Sequence, residues 1–315
     1  KSEFFNPAKL DFYSNQDKIC DLDLTQFNTD IEKYTTLKRS SLIKILKNKL
    51  FSNLIRFNKT VEGVEQNQNN IKINFTDGET EEVDYLVVSD GVFSNTKSII
   101  ENKNHKPSYY GAVAVRTIIN REEVKNFDKN NISLLMSSNA HAVLYAINEK
   151  EHNLVTTIRT KIKNSEKVNN LDFIKTILKN SILKNNNSFT PLFEGDLTCW
   201  PIYTSDKPIV SKFKNIFYLG DAFCTLPPTM AQGASQSIEA AKELYGLLIK
   251  NKENIKNIYF EKRLQKTIMI NNRSRLNYFA FHLSNPVLKF FRNQFLKRLI
   301  KNNRFINTFL GKIYK

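Results

Sequence analysis

The 315-residue sequence is poor in the residues that mark several special classes of protein. Its three cysteines, Cys20, Cys199 and Cys224, are too widely spaced to support a zinc site or a disulfide framework, so we expect a reducing compartment, the cytoplasm. Nine glycines and eight prolines exclude fibrous and linker-type architectures. Apolar runs are far shorter than the roughly 20 residues of a membrane-spanning helix, and no signal peptide is visible. A globular protein of one or two domains is expected.

Basic residues exceed acidic ones by 47 to 31, which gives a net charge of +16. Nucleic-acid binding is one explanation of such a surplus. The richness in Lys, Asn and Ile, residues with AT-rich codons, explains it equally well. Because no nucleic-acid-binding motif accompanies the charge, we expect no nucleic-acid partner.

The hydrophobic pattern divides the chain into α/β segments around a β-rich middle. Apolar residues at spacings of three and four predict a helix with one buried face over 38–50, which begins near Arg39. The run Tyr85–Val88 predicts a strand buried on both faces. Several β-like runs over 106–200 predict a mainly antiparallel sheet, and a short strand at 215–219 returns the chain to α/β order. The remainder, 252–315, is helical and basic.

The first motif that could carry chemistry follows the predicted strand at Tyr85–Val88. It reads Asp90-Gly91-Val-Phe-Ser94-Asn-Thr-Lys97 and precedes a predicted helix. Ligands of α/β folds bind at the carboxyl ends of strands, and helix N-termini offer free N–H groups. The alternative is an ordinary Asp-Gly turn with Ser94 as the helix cap, and the motif alone does not decide between them.

A second motif follows the predicted strand at 215–219. Gly220 and Asp221 end the strand, a rigid loop contains Pro228, and a long helix begins near Gln232, Gly233 and Ala234. The aspartate can accept hydrogen bonds from a ligand hydroxyl, and the helix N-terminus can stabilise negative charge. An ordinary strand–loop–helix unit is the alternative, which the density of special residues disfavours.

Together the motifs resemble those of the FAD-dependent aromatic-ring hydroxylases and their relatives in ubiquinone biosynthesis. In that family the second motif reads Gly-Asp-Ala-Ala-His, three residues, Pro, two residues, Gly-Gln-Gly, and the first reads Asp-Gly-x-x-Ser-x-x-Arg. An Arg or Gln also begins the helix before the first motif, where this chain has Arg39. Order and spacing agree over residues 35–250. The matching positions are Asp90, Gly91, Ser94, Gly220, Asp221, Ala222, Pro228, Gln232 and Gly233.

The resemblance implies an interrupted, doubly wound FAD-binding domain with an inserted substrate domain. Its parts would be 1–105 and 201–251 for FAD, 106–200 for substrate, and a helical basic region at 252–315. Asp221 would bind the ribityl chain and Asp90 the pyrophosphate region. The implied cofactor-binding residues are Arg39, Asp90, Gly91, Gly220, Asp221, Pro228, Gln232, Gly233 and Ala234, with Pro228 near the flavin ring and the N–H groups at Gly233 and Ala234 facing its pyrimidine end.

The sequence departs from the family pattern in several places, among them Ala231, which replaces the first Gly of Gly-Gln-Gly. Phe223 and Cys224 replace Ala-His, and Lys97 replaces the arginine. No pair of glycines is spaced as Gly-x-Gly, so the glycine-rich unit that cradles the ADP half of FAD is missing. Since the chain starts on Lys1, we expect it to be a fragment that lacks its first βαβ unit; a degenerate member that holds FAD weakly is the alternative.

The candidates for contact with a phenolic substrate are Tyr109, Tyr110, His141, Tyr145 and Tyr203, and three of them, His141, Tyr145 and Tyr203, are also weak candidates for catalysis. Deprotonating a phenol would favour hydroxylation, but each side chain could equally pack within a sheet. His152 and His282 have no partner by spacing, so we expect them at the surface. The catalytic base is therefore unassigned, and no metal site is expected.

The segment 286–315 contains eight Lys or Arg residues and no acidic one, interleaved with apolar residues. A basic amphipathic helix with aromatic residues suits peripheral contact with an anionic membrane, here at the inner face. A helix docked on the body with a solvated lysine face is the alternative, and both stay open.

The function that the resemblance implies is an FAD-dependent monooxygenase that hydroxylates an aromatic or quinone-precursor substrate. NADH or NADPH would reduce FAD, and O₂ would react through a flavin C4a-hydroperoxide. Two alternatives are a flavin-dependent reductase of the geranylgeranyl-reductase type and a degenerate, non-catalytic flavoprotein scaffold.

Overall fold

The structure is a computed structural model in which the chain folds into two compact units. The first unit comprises Lys1–Phe51, Gly111–Ile202 and Tyr278–Lys315, and the second comprises Ser52–Tyr110 and Tyr203–Asn277. The residues that the structure describes are 3–30, 33–67, 70–161, 170–182, 192–205, 207–250 and 254–308.

Strands and helices follow one another along the described residues in a mixed α/β order. The strands are β1 (Phe4–Phe5), β2 (Lys9–Ser14), β3 (Asp17–Asp23), β4 (Thr36–Leu37), β5 (Val61–Gln66), β6 (Ile71–Phe75), β7 (Thr80–Val83), β8 (Leu86–Val88), β9 (Ser108–Asn120), β10 (Ile132–Ser137), β11 (Ala140–Ala146), β12 (Glu151–Arg159), β13 (Thr198–Thr204) and β14 (Ile216–Tyr218). The helices are α1 (Arg39–Lys47), α2 (Asn95–Glu101), α3 (Leu171–Asn180), α4 (Gly233–Ile249), α5 (Ile255–Phe281), α6 (Pro286–Leu299) and α7 (Asn303–Ile306). None of these described helices is long and apolar enough to cross a membrane.

A seven-stranded sheet with the order β13-β9-β12-β11-β10-β2-β3 forms the centre of the first unit. The pairs β9–β12, β12–β11, β11–β10 and β2–β3 are antiparallel, whereas β10 and β2 run parallel. Strand β10 is buried at every position because both faces of the sheet are covered. Leu135 packs with Ile174 and Leu178 of α3, while Leu134 packs with Leu296 of α6 on the opposite face. The predicted mainly antiparallel sheet and helical C-terminus are confirmed.

The first 51 residues belong to the unit of the large sheet rather than to the unit that contains Asp90 and Asp221. Their strand β2 pairs with β10, where Leu10 lies opposite Ile132. This pairing joins residues that are far apart in sequence, so the local pattern of the first thirty residues did not indicate it. The compact units are defined by contacts within the chain, and the predicted division into functional domains stays a prediction.

Helix α1 forms where the apolar spacing predicted it, but the prediction of one buried face is wrong. Ile45, Leu46 and Leu50 are all exposed. Within the described part of the chain, no element packs over these side chains closely enough to bury them. Spacing alone indicates that a helix is amphipathic and does not indicate which surface covers it.

The second unit contains a two-stranded parallel sheet, β14-β8, and a three-stranded antiparallel sheet, β5-β6-β7. Ile71, Val88, Ile216 and Phe223 are among its buried core residues. Helix α4 buries residues at every fourth position, namely Gln236, Ala240 and Leu244. This packing holds the end of β14 and the beginning of α4 close together.

Candidate active site

Both sequence motifs begin at the same edge of the small parallel sheet. Strands β8 and β14 pair in register, with Val88 opposite Tyr218, and the N–H of Leu219 donates to the carbonyl of Val88 over 3.0 Å. Because parallel strands end on the same side, Asp90–Gly91 and Gly220–Asp221 leave neighbouring strands side by side. The structure therefore brings together the two motifs that the sequence separates by about 130 residues.

The first motif caps helix α2. Ser94 Oγ accepts the N–H of Lys97 over 3.0 Å, and Asp90 Oδ2 accepts the N–H of Thr96 over 3.3 Å. Gly91 adopts a φ of +92°, which favours glycine. The capping role considered for Ser94 is thus present, and Asp90 is held at the helix N-terminus with an exposed carboxylate.

Lys97 connects the two motifs. Its side chain is buried, and Nζ donates to the carbonyl oxygen of Ala222 over 2.8 Å. Burial lowers the pKa of Lys97, and the nearby carboxylate of Asp90 opposes that shift. The sequence identified Lys97 only as a replacement for arginine, and nothing in the motif indicated that it bonds across to the second motif.

The turn after β14 approaches α4 too closely for any side chain at Gly220. That glycine has a φ of +60°, and a Cβ there would lie 2.7 Å from Ser237 Oγ. The N–H groups of Phe223 and Cys224 both donate to the Gly220 carbonyl, which closes the turn. The side chain of Asp221 extends from this turn and is exposed.

A proline turn leads from this point into α4. Residues Pro228–Met230 form a short 3₁₀ turn, and Ala231 follows with a φ of +52°. The first residues of α4, Gly233 and Ala234, are exposed. In the described part of the chain, the side chain of Gln232 at the N-cap makes no bond to the first N–H groups of the helix. The positive end of a 17-residue helix is therefore open to a ligand.

A buried polar network fixes the beginning of α4 against α5. Gln236 Nε2 donates to Gln232 Oε1 over 3.2 Å, and Arg263 Nη2 donates to Gln236 Oε1 over 2.7 Å. Arg263 is buried and also forms ion pairs with Glu243 at 3.2 Å and Glu239 at 3.6 Å. Sequence patterns did not indicate this network because its members lie on two helices and match no motif.

These elements line a cleft in the second unit. It lies between the turn after β14 and the facing sides of α4 and α5. Burial raises the pKa of the Cys224 thiol to about 11, so this side chain stays neutral at neutral pH. Residues that line the cleft include Gly220, Asp221, Cys224, Gly233, Ser237 and Arg263.

Tyr203, a candidate for substrate contact, lies in the same unit as the two motifs. Its ring contacts Phe93 of the first motif at 5.0 Å between centroids and Tyr109 at 6.0 Å, both edge-to-face. Phe93 itself is exposed. Tyr203 therefore belongs to a cluster of aromatic rings that includes Phe93, a residue of the motif that contains Asp90.

His141 and Tyr145 lie on β11 in the first unit. His141 is buried, and its Nδ1 lies 2.7 Å from Nε2 of His282. Tyr145 accepts a hydrogen bond from Asn153 Nδ2 over 2.8 Å, and burial raises its pKa. The expectation that His152 and His282 lie at the surface is wrong, because both are buried and bonded to residues distant in sequence.

Arg39 begins α1 in the first unit, and its side chain is exposed. The other predicted cofactor-binding residues belong to the second unit. The roles assigned to all of these residues stay predictions.

Sequence comparison finds relatives of known activity. The chain is 25% identical over 226 residues to 6-hydroxynicotinate 3-monooxygenase of Bordetella bronchiseptica, and the match covers 67% of this chain and 56% of that enzyme. The chain thus spans about half the length of the curated relatives it matches.

The fold is similar to that of solved flavoprotein structures. HpxO of Klebsiella pneumoniae, complexed with FAD and uric acid, superposes with a TM-score of 0.84 at 15% identity, over 98% of this chain and 81% of that one. A salicylate hydroxylase substrate complex superposes with a TM-score of 0.77 at 16% identity, over 99% of this chain and 84% of that one. At these identities the likeness concerns the fold.

A match to a known protein family extends over most of the chain. It agrees with the two motifs, which meet at one sheet edge beside the open end of a helix. Residues 6–254 match the protein family described as FAD binding domain. The chain therefore belongs to this family of FAD-binding proteins.

Proposed function

We propose that the protein is an FAD-dependent monooxygenase that inserts one oxygen atom of O₂ into an aromatic ring, with NADH or NADPH as reductant. The observation that carries this proposal is the meeting of Asp90 and Asp221 at the ends of adjacent parallel strands, beside the open N-terminus of α4. The names of the curated relatives, both 6-hydroxynicotinate 3-monooxygenases, support the same reaction class.

The described residues fit the flavin half of FAD. Gly220 lets the turn after β14 approach α4, since a Cβ at this position would clash with Ser237, and this closeness keeps Asp221 beside the first turns of α4. Asp221 presents an exposed carboxylate, which suits the hydroxyls of a ribityl chain. The uncapped N–H groups of α4 suit an oxygen that carries negative charge.

FAD, when bound, would supply hydride acceptance from NAD(P)H and activation of O₂. Asp221 would accept hydrogen bonds from the ribityl chain, and Asp90 would help to hold the pyrophosphate region. The N–H groups at Gly233 and Ala234 would stabilise negative charge on the pyrimidine end. Pro228 would lie near the ring.

Gln232 would support that helix end through its bond to Gln236, whose own bond to Arg263 restricts its movement. Gly91 would keep the backbone next to Asp90 free of a side chain. For Arg39 we keep the proposal of cofactor contact, which rests on the family resemblance.

The proposed substrate is a small aromatic or heteroaromatic ring that carries a hydroxyl group, as in the relatives named for 6-hydroxynicotinate. Tyr203 is the preferred candidate for ring contact, because it packs against Phe93 of the first motif. His141 is less suited to deprotonating a phenol, since its Nδ1 is occupied by His282. We keep the division into FAD-binding parts and a substrate domain at 106–200 as a proposal.

The relatives' names favour hydroxylation over the reductase alternative, and the intact polar network at α4 disfavours a degenerate scaffold. A quinone precursor has no specific support from the relatives. For location we propose the cytoplasm, on the ground that all three cysteines are free.

Isotope incorporation tests this proposal. The chain would be incubated with FAD, NADH or NADPH, hydroxylated aromatic acids and ¹⁸O₂, and products analysed by mass spectrometry. We expect one ¹⁸O atom in the product, and loss of product in Asp221→Ala but not in the exposed control Asp84→Ala. A reduced product without ¹⁸O, formed also under anaerobic conditions, would establish the reductase instead.

A further inference from the structure

Helix α6 presents an apolar surface to the outside. Its exposed residues are Val287, Leu288, Phe290, Phe291 and Phe295, each 48% to 63% exposed. Residues of an α-helix advance by about 100° around the axis, so these five fall on one continuous side of the helix. The rings of Phe290 and Phe291 contact each other edge-to-face at 5.8 Å. We call these five residues the α6 apolar surface.

The opposite side of α6 is attached to the first unit by its cations. Lys289 Nζ donates to Ser138 Oγ over 2.9 Å, and Arg292 Nη2 donates to Ser14 Oγ over the same distance. Arg292 Nη1 also donates to the carbonyl of Ala280 over 3.1 Å. Burial lowers the pKa of Arg292 to about 10. The helix therefore docks through these two cations together with Leu296, which packs against the sheet, and leaves its aromatic side chains in solvent.

This orientation differs from that of a helix that turns all of its large apolar side chains toward a protein core, because five of them are exposed. Burying a large apolar side chain usually stabilises a protein by about 1.5–3 kcal/mol, and such patches on a monomer mark binding surfaces. The specific bonds of Lys289 and Arg292 hold the helix in this orientation. A docked helix with solvated cations does not by itself account for α6, because the aromatic side chains are in solvent as well.

Exposed cations flank the α6 apolar surface. Lys297 and Arg298 lie in its last turn, and Lys301 and Arg304 follow, all exposed. The whole segment 286–315 contains no acidic residue, although 309–315 lie outside the described residues. A second copy of this chain would bring like charges together across such an interface, whereas an anionic surface would complement them.

We propose that the α6 apolar surface docks on the anionic surface of a phospholipid bilayer, with α6 lying in the plane of the interface. Aromatic and aliphatic side chains of such a helix enter the boundary between headgroups and acyl chains, and the flanking cations pair with anionic headgroups. This docking goes beyond the proposed reaction and does not depend on it.

Vesicle cosedimentation of the full chain tests the proposal. Phosphatidylcholine vesicles with and without phosphatidylglycerol would be compared at low and high salt. We expect binding to the anionic vesicles that weakens with salt. Phe291→Ser combined with Phe295→Ser should lower the affinity by about tenfold per side chain. Lys297→Gln combined with Arg298→Gln should lower it by about fivefold per charge.

Tyr245→Ser is the matched control, because Tyr245 is an exposed aromatic residue on α4. It should bind vesicles as the unchanged chain does. Equal binding by the chain and both α6 variants, or no binding to anionic vesicles, would overturn the proposal. So would a dimer in vesicle-free solution that the phenylalanine variants convert to a monomer, since a second copy would then cover the surface.

Discussion

At the scale of single residues, the turn after β14 can approach helix α4 because Gly220 has no Cβ. Gly220 is required on two grounds, its φ of +60° and the 2.7 Å that would separate a Cβ at this position from Ser237 Oγ. At Gly91 only the positive φ requires glycine, because nothing among the described residues lies within 4 Å of where its Cβ would be. Comparing substitutions at the two glycines therefore distinguishes the cost of backbone strain from the cost of a side-chain clash.

We predict that Gly220→Ala lowers the free energy of unfolding more than Gly91→Ala does. Each change adds a strained backbone conformation of about 1–3 kcal/mol, and only Gly220→Ala adds the contact with Ser237. Adding Ser237→Ala to Gly220→Ala should recover part of the loss. Chemical denaturation measures all three, and equal losses for the two glycines would contradict the account.

Lys97 offers a second test at this scale. Lys97→Met removes the donor to the Ala222 carbonyl, and leaving that buried acceptor unpaired should destabilise the protein by about 1–3 kcal/mol. Lys97→Arg should be closer to the unchanged chain, since arginine is also a donor. Lys103→Met, at an exposed position, is the control. Urea unfolding that does not distinguish Lys97→Met from this control would contradict the linking role.

The family resemblance implied that Asp90, Gly91, Gly220 and Asp221 belong to one cofactor site, which stays a prediction, and the structure places all four after adjacent parallel strands. The resemblance did not predict the partners of buried side chains. His141 and His282 meet across 141 positions of sequence, and no local pattern carries that information.

At the scale of elements, the histidine pair joins β11 to the end of α5. Burial lowers the pKa of His141 to about 3 and that of His282 to about 2. The unfolded chain, with ordinary histidines near pKa 6.5, binds protons that the folded chain does not. The contribution of the histidine pair to the free energy of unfolding is therefore fully present above about pH 6.5. It is lost as the pH falls toward the pKa values that the two histidines have in the folded state.

We predict that the free energy of unfolding falls between pH 6.5 and pH 4 by about 1.4 kcal/mol per pH unit for each histidine of the pair. Replacing both, as His141→Leu with His282→Phe, should flatten this slope whatever its effect on stability at neutral pH. Lys103→Met should keep the original slope. Denaturant titrations at several pH values measure it, and an unchanged slope in the double variant would contradict the prediction.

Local spacing predicted that α1 is a helix, but not that Ile45 and Leu46 are exposed. Likewise the strand β2 was not predicted, since its place in the sheet depends on β10. Helix formation is governed by neighbours in sequence, whereas burial and parallel pairing depend on elements that fold together from distant segments.

At the scale of the whole molecule, each compact unit is assembled from separate stretches of chain. The alternation of α/β and β-rich segments predicted the fold class, which is confirmed. The domain boundaries stay a proposal and the substrate could not be named from the sequence, because both depend on how distant segments pack and on the shape of a pocket. The net charge of +16 belongs to the molecule as a whole, and it favours association with anionic partners in general.

We propose that the two motifs form a flavin site where they meet at the edge of the small parallel sheet. Titration of the folded chain with FAD, followed by quenching of flavin fluorescence, tests it most directly. We predict saturable binding that Asp221→Ala weakens by about tenfold or more, the equivalent of one hydrogen bond to a charged group. Asp84→Ala should bind as the unchanged chain does. No binding by the folded chain, or binding that Asp221→Ala leaves unchanged, would contradict the claim.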